Sequence, residues 1–302
     1  FDEANVSRKH ISHVNINVAY ALKARIDMSQ DRWADAAEAA GKALSVAGGS
    51  TYAVQSVANY GGFNDAKSAG VMWASEINAD QTSGWASFFS ILDADVEGTY
   101  AARAQHQISN WLYNQIPVND ARLGWWNGLL PAETGGSNVN YGQKKFRFRV
   151  PATRQGDYIH IRAEEMVLIR AEAYCHLENF VAAREEISKL GERRMAPADY
   201  QMRLEQFTNS KVYNTNTVGD FETLMDEILF QRRVELWGEG TGRLFDLQRL
   251  GLGFSRAWTG NNHTARLTTI DTSAGSKMFI QPLPQSEIDG NSNISVNDQN
   301  PI

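Results

Sequence analysis

The chain has 302 residues, enough for one large domain or two small ones, and its 42% hydrophobic and 21% charged residues suffice for an ordinary buried core. A net charge of -6 argues against nucleic acid as the main partner, and no apolar run reaches the length of about 18 residues that a membrane-crossing helix needs. With a single cysteine, Cys175, there is no internal disulfide framework.

The chain opens at Phe1 without a Met or an apolar leader core, the sign of a removed signal peptide or of a fragment. His10 and His13 lie three apart, a spacing that more often serves nothing than a metal. From 17 to 47 an Ala-rich segment carries helical periodicity and breaks at "DMSQDRW", which predicts a helical hairpin. Residues 48–158 differ. "GVMWASEI" has strand character, "TYAARAQHQISNWLYNQI" predicts a helix stopped at Pro117, and "GLLPAETGGSNVNYGQ" carries the Gly, Pro and Asn signals of a loop. "KKFRFRV" alternates and predicts a short strand, with Lys144, Lys145, Arg147 and Arg149 as a solvated face.

Residues 160–190 predict a second hairpin, breaking near "HLENF". Shifted by 147, the two hairpins align Ala24 with Ala171, Trp33 with Phe180 and Ala36 with Ala183. Small residues inside and an aromatic wedge at the turn match the tetratricopeptide pattern. Cys175 reads as a small buried residue, since His176, next to it, would point about 100° away on a helix. "TLMDEILFQRRVELW" predicts a helix ending at Gly238, followed by a Gly-rich turn and the short helix "RLFDLQRLG". Beyond 252 the chain is polar and loop-rich; in its one apolar extended piece, "KMFIQPLP", two prolines forbid a central strand. The fold class is therefore mainly α: tetratricopeptide-like hairpins with a long loop-rich insertion and an irregular C-terminal region.

These pieces resemble the SusD/RagB family of outer-membrane glycan-binding lipoproteins. The resemblance rests on "IRAEEMVLIRAEAY", on "RRVELWGEG" followed by "RLFDLQRLG", on "FIQPLPQSEIDGN" followed by "QNP", and on the Asp-x-Arg step in "IPVNDARLGWW". It implies one domain over 1–302, with the first hairpin at 14–47, the insertion bearing the glycan site at 48–158, further hairpins at 159–251 and the irregular region at 252–302. Family members usually carry Glu where Gln231 stands, and the Gly-rich turn here has one extra residue between Glu239 and Arg243. The family's lipobox cysteine and N-terminal helical region are not visible, so the chain reads as the C-terminal portion of a longer protein. The implied partners are an oligosaccharide or polysaccharide, a SusC-like TonB-dependent transporter and, through a lipid anchor outside this chain, the outer membrane.

The acids of "ELWGEGTGRLFD" could be catalytic or structural. Glu235 has Arg232 three residues before it, Glu239 has Arg243 four after, and Asp246 lies three from both Arg243 and Arg249. Such spacings place opposite charges on one helix face, and a neighbouring cation lowers a carboxyl's pKa, whereas a general acid needs it raised. Adjacent Glu164 and Glu165 diverge on a helix and cannot flank one bond. No nucleophile elbow, zinc-binding helix or phosphate loop occurs, and the "DGNSN" start of a calcium loop meets Asn300 instead of Glu at its twelfth position. No enzyme activity, cofactor or metal is expected.

Sugars present apolar faces ringed by hydroxyls, which flat aromatic side chains and fixed polar groups complement. Trp85, Trp111, Trp125 and Trp126, four of the eight tryptophans, fall in the insertion beyond its strand-like piece. The expected glycan site is Trp125 and Trp126 with Asn119, Asp120, Arg122 and Asn127, completed by Trp85 and Tyr100. Adjacent tryptophans point apart, so at most one of that pair faces ligand, and Asp120 with Arg122 equally suits an ion pair closing the loop. Trp33, Trp73 and Trp237, on periodic elements, are assigned to the core. The reading is non-catalytic glycan binding that delivers substrate to the transporter; the alternative is a helical-repeat peptide- or protein-binding scaffold, which would need polar first helices lining a groove.

Overall fold

Asn15 starts the first helix: its side chain accepts the Val18 N–H at 3.0 Å, closing one of the unpaired donors of α1 (Ile16–Ser29). There follow α2 (Trp33–Leu44), β1 (Val71–Ser75), α3 (Phe88–Leu92), α4 (Asn110–Gln115), β2 (Tyr158–Arg162), α5 (Ala163–His176), α6 (Phe180–Gly191), α7 (Pro197–Leu204) and α8 (Leu224–Glu235). The structure, a computed structural model, describes residues 10–45, 51–214, 221–276 and 279–300. They form two compact units, one built from residues up to 213 with 221–240 and the other mainly from 241 onward.

The repeat read from the sequence is present in the backbone. α1 begins at residue 16 and α5 at 163; α2 begins at 33 and α6 at 180; one offset, 147, relates both pairs. It also relates the turns, where Asp31 and Glu178 adopt left-handed backbone with φ of 57° and 58°. Ala36, Ala39, Ala40 and Ala43 are buried on α2, and side chains of methyl size let α1 and α2 approach closely. Trp33, at the start of α2, stacks on His176, at the end of α5, with centroids 3.7 Å apart and planes 9° from parallel, which ties one hairpin to the next.

α5, apolar on nearly every side in sequence, is enclosed on nearly every side in space, with Glu164, Glu165 and Glu172 buried beside its hydrophobic residues. Only Arg170, Tyr174 and His176 of this helix are partly exposed. Cys175 is buried on it, and burial followed by the nearby charge of Glu172 pushes its thiol up to about 12, which suits packing and not nucleophilic chemistry. α8 is shared by two cores. Leu224, Met225 and Ile228 join the core of the hairpins, while Phe230 and Val234 join an aromatic core containing Tyr60, Phe63, Phe89, Phe146 and Phe148.

β1 and β2 pair antiparallel, Val71 opposite Arg162 and Ala74 opposite Ile159, so the "GVMWASEI" strand is present. Two expectations for the insertion need correction. Only Asn110–Gln115 of the segment 99–116 is helical. Of the rest, residues 106–108 pair with the loop at 141–143: Ile108 N–H bonds Tyr141 O at 3.0 Å and Gln143 N–H bonds His106 O at 2.9 Å. "KKFRFRV" is no strand either; it is held by single bonds, Lys144 N–H to Trp125 O at 2.7 Å and Arg147 N–H to Gly62 O at 3.1 Å. Of its basic face only Arg149 is exposed. Lys145 is buried, and Arg147 pairs with Asp93 at 2.8 Å and Asp95 at 2.6 Å.

The second unit holds α9 (Arg243–Arg249), α10 (Ala265–Thr268) and α11 (Gln285–Gly290). The proline-bearing piece at 279–284 is secured by side chains where a ladder is unavailable. Gln299 accepts from Leu283 N–H at 2.7 Å and donates to Leu283 O at 3.0 Å, and Asn300 donates to Gln281 O at 2.6 Å. Lys277, Met278 and Pro301 of the sequence motifs lie outside the described residues.

At the end of α6, Gly191 lets Tyr200 of α7 pack where a side chain would stand: a Cβ there would fall inside the Tyr200 ring. Both residues are buried. Gly191→Ala is expected to destabilise the first unit by roughly 1–3 kcal/mol, the usual cost of overpacking, seen as a melting temperature lowered by several degrees in circular dichroism. An unchanged melting temperature would contradict this packing.

Candidate functional site

Glu235 ends α8 fully buried, and three guanidinium groups converge on its carboxylate. Arg194 donates Nε to Oε2 and Nη2 to Oε1, both at 2.8 Å; Arg162 Nη1 reaches Oε1 at 2.7 Å; Arg122 Nη1 reaches Oε2 at 3.2 Å. Glu239 accepts from Arg162 at 2.7 and 2.9 Å and from Lys145 Nζ at 2.6 Å. Glu164 takes Arg162 at 3.1 Å and the Tyr60 hydroxyl at 2.7 Å. Asp120 forks onto Arg122, at 2.6 Å from Nη2 and 3.0 Å from Nε. Four acids thus meet four cations, so the cluster is neutral overall, the condition under which buried charge is tolerated. Gly238, with φ of +74°, turns the chain between the two acids, and a Cβ there would stand 2.6 Å from Phe146.

The acids are held by cations, as their neighbours in sequence suggest, but the cations are different ones. Glu235 draws on residues 41, 73 and 113 positions away, and Glu239 on residues 77 and 94 away. Local i, i+3 pairing is seen in the second unit, where Asp246 meets Arg249 at 2.9 Å. Burial alone would raise the Glu235 carboxyl; the field of Arg194, then Arg162 and Arg122, overcomes it and holds the group well below the usual carboxylate range. Glu239 is likewise raised by burial and lowered further by Arg162 and Lys145. Such carboxylates have no proton to give to a leaving group. Burial brings Lys145 down to about 8 against the pull of Glu239. Its ammonium donates to Glu235 O at 2.8 Å and lies 4.6 Å from the Trp125 ring centroid.

The expected glycan residues divide sharply. Trp125 and Trp126 are 5% and 2% exposed, the first beneath Lys145, the second edge-on to Trp237 with centroids 5.5 Å apart. Asp120 and Arg122 are buried in the ion cluster, and Asn127 is buried donating to Val139 O at 3.2 Å. Their side chains face the interior, which corrects the placement of these five on a ligand surface. The cause is the turn over Ala121–Trp125, which Asp120 caps by accepting the Arg122 N–H at 2.8 Å and which runs along the ion cluster. Asn119 is exposed but donates to Asp199 of α7 at 2.6 Å.

Trp85 and Tyr100 are the exposed pair, 55% and 46% accessible, with centroids 6.4 Å apart and planes at 73°. No other tryptophan or tyrosine is exposed among the described residues. Both loops hang from α3. The hydroxyls of Ser87 and Ser90 donate to Ser83 O, while Ser83 Oγ accepts the Trp85 N–H at 3.2 Å; on the other side Ala101 N–H bonds Ser90 O at 2.9 Å. Arg103, which sequence reasoning passed over, lies with Cζ 5.5 Å from the Trp85 ring centroid. Its one signal was its place three residues after Tyr100. The arrangement offers a flat apolar face, a second ring edge and fixed N–H donors, and no paired carboxylates. Among the described residues no group of three or more His, Cys, Asp or Glu side chains is placed to hold a metal.

Residues 106–302 match the sequence profile of the SusD family. Solved structures share the fold. The SusD-like carbohydrate binding protein from Bacteroides vulgatus is 20% identical with a TM-score of 0.69, over 98% of this chain and 62% of its own. A SusD superfamily protein from Bacteroides thetaiotaomicron is 22% identical with a TM-score of 0.69, over 96% and 61%. Surface glycan-binding protein A from Bacteroides uniformis is 18% identical with a TM-score of 0.60, over 96% and 61%. The chain spans about three-fifths of the length of each. No curated protein matches it.

The ion cluster generates two expected outcomes. Glu235→Gln leaves three guanidinium groups short of a charge and is expected to cost about 3–5 kcal/mol of stability in denaturant titration. Both Glu235 and Glu239 are held below their ordinary value of 4.5, so the stability they add is complete above that pH and is lost as the pH falls below it. Unfolding followed by fluorescence should show this acid dependence in the parent and a smaller one in the variant; equal profiles would mean the cluster does not carry it.

Proposed function

The chain belongs to the SusD family, and from that membership we propose that it binds oligosaccharide or polysaccharide at the bacterial cell surface and performs no chemistry on it. The observation that carries this reading is the exposed Trp85–Tyr100 pair, fixed at a set spacing by α3 beside an arginine. A pyranose ring laid on Trp85 covers its apolar face at little cost in side-chain entropy, and Tyr100 closes one side. The deep pairing of Glu164, Glu235 and Glu239 supports a non-catalytic role, because glycoside hydrolysis needs two carboxyl groups about 5–10 Å apart flanking an accessible bond. Relatives described as carbohydrate binding and as surface glycan-binding proteins support the ligand class.

On the same reading the bound glycan passes to a SusC-like TonB-dependent transporter, with the protein lipid-anchored at the outer membrane. The helical hairpins are a rigid frame for this task. The peptide-scaffold alternative calls for polar first helices lining a groove, whereas 11 of the 14 residues of α5 are buried.

Affinity electrophoresis on polysaccharide gels tests the proposal. The parent should be retarded by at least one glycan, and Trp85→Ala should weaken that binding about tenfold or more, ~1.4 kcal/mol. Trp125→Ala should instead cost about 3–5 kcal/mol of stability, the usual penalty for emptying a core site. Release of reducing ends from the bound glycan would overturn the non-catalytic reading, and full retention by Trp85→Ala would overturn the site.

A further inference from the structure

Arginines in the first unit are, for the most part, tied to carboxylates: Arg25 to Glu165, Arg147 to Asp93 and Asp95, Arg149 to Asp157, Arg203 to Glu227, and the three of the ion cluster. Two that border the exposed aromatic pair are not. Among the described residues neither Arg103 nor Arg154 has an acidic partner within 4.0 Å. Arg103 is exposed and lies with Cζ 5.5 Å from the Trp85 ring centroid. Arg154 lies against the backbone of the two loops that carry the rings: Cβ atoms built at Gly84 and Gly98 would stand 3.7 and 3.2 Å from its guanidinium. Its Nη2 donates to the Glu97 carbonyl at 3.4 Å, and its buried Nε has no hydrogen-bond partner.

A guanidinium offers five N–H donors and no acceptor. A neutral sugar, whose hydroxyls both give and take, is served by mixed partners such as Asn, Gln and Asp. A surface whose cationic groups only donate is matched by a ligand with an excess of acceptors. In a chain of net charge -6, such a ligand gains from local positive charge that has not been cancelled. Resting on the glycan-binding reading above, we infer that the Trp85–Tyr100 surface selects glycans carrying an anionic group, a carboxylate or a sulfate, and that Arg103 is the residue that sets this preference. The sugar ring stacks on Trp85 while its acidic substituent accepts a charge-assisted, two-pronged bond from Arg103, with Arg154 adding positive potential from behind the loops.

Matched pairs test this by isothermal titration calorimetry on the full chain: oligogalacturonides against their carboxyl-reduced counterparts, and sulfated galactan oligosaccharides against their desulfated ones. The acidic member of at least one pair should bind about tenfold tighter, and which pair responds tells carboxylate from sulfate. Arg103→Gln should erase that difference, while Arg103→Lys, which keeps the charge and loses the fork, should retain part of it. Raising the salt to about 0.5 M should shrink the preference in the parent. Equal binding of both members, or a preference that survives Arg103→Gln, overturns the inference and leaves glycan binding standing. Binding of no glycan in either pair or on the polysaccharide gels overturns both.

Discussion

The Glu235 carboxylate is buried where water cannot solvate it, and three separate segments of the first unit are arranged so that this charge is met. The guanidinium groups that meet it come from the turn after Asp120, from the end of β2 and from the segment after α6. A charge isolated in that interior would cost many kcal/mol, so none of these segments can settle elsewhere without leaving its ions unmatched. The cluster therefore acts as a register lock between insertion and hairpins. It places the 3-10 turn, and with it Trp125 and Trp126, against the aromatic core. Glu164, at the start of α5, brings the helical repeat into the same lock through Arg162 and Arg194.

How much of this was legible in the sequence depends on the distance over which each cause acts. The hairpins were readable because their causes are local: Ala spacing, an aromatic after each turn and a constant offset. The enclosure of α5 was readable from its apolar residues, but the burial of its Glu164 and Glu165 was not, since their partners Arg194 and Arg25 lie far along the chain. The Glu235 cluster was legible in kind and not in detail, since ion pairs across 41 to 113 residues leave no spacing signal. Lys145 is the clearest case. Its alternation with Phe146 and Phe148 suggested a wet strand, yet tertiary structure sinks all three, because the ammonium finds two carbonyls and a carboxylate inside.

The tryptophans carry a related lesson. Enrichment in the least regular segment suggested exposure, but an irregular backbone needs large side chains to fill its interior just as regular elements do. Trp125 and Trp126 do that filling, while Trp85, on a short serine-rich loop, stands outside. The difference lies in the anchors on either side of each residue. Trp125 and Trp126 close a turn that Arg122 ties into the ion cluster, whereas Trp85 leads directly into α3, whose Ser87 and Ser90 hold the loop and leave the indole free. Trp85 and Tyr100 remain the part of the expected aromatic arc that a ligand can reach.

The suspension of both ring-bearing loops from α3 has an evolutionary consequence. Their spacing is fixed by serine hydroxyls and by the Ser90 carbonyl, and the rings themselves take no part in it. Residues 85, 100 and 103 are thus free to vary without disturbing the frame that holds them apart. Substitutions at these outward positions can therefore accumulate while the interior that carries them is left undisturbed.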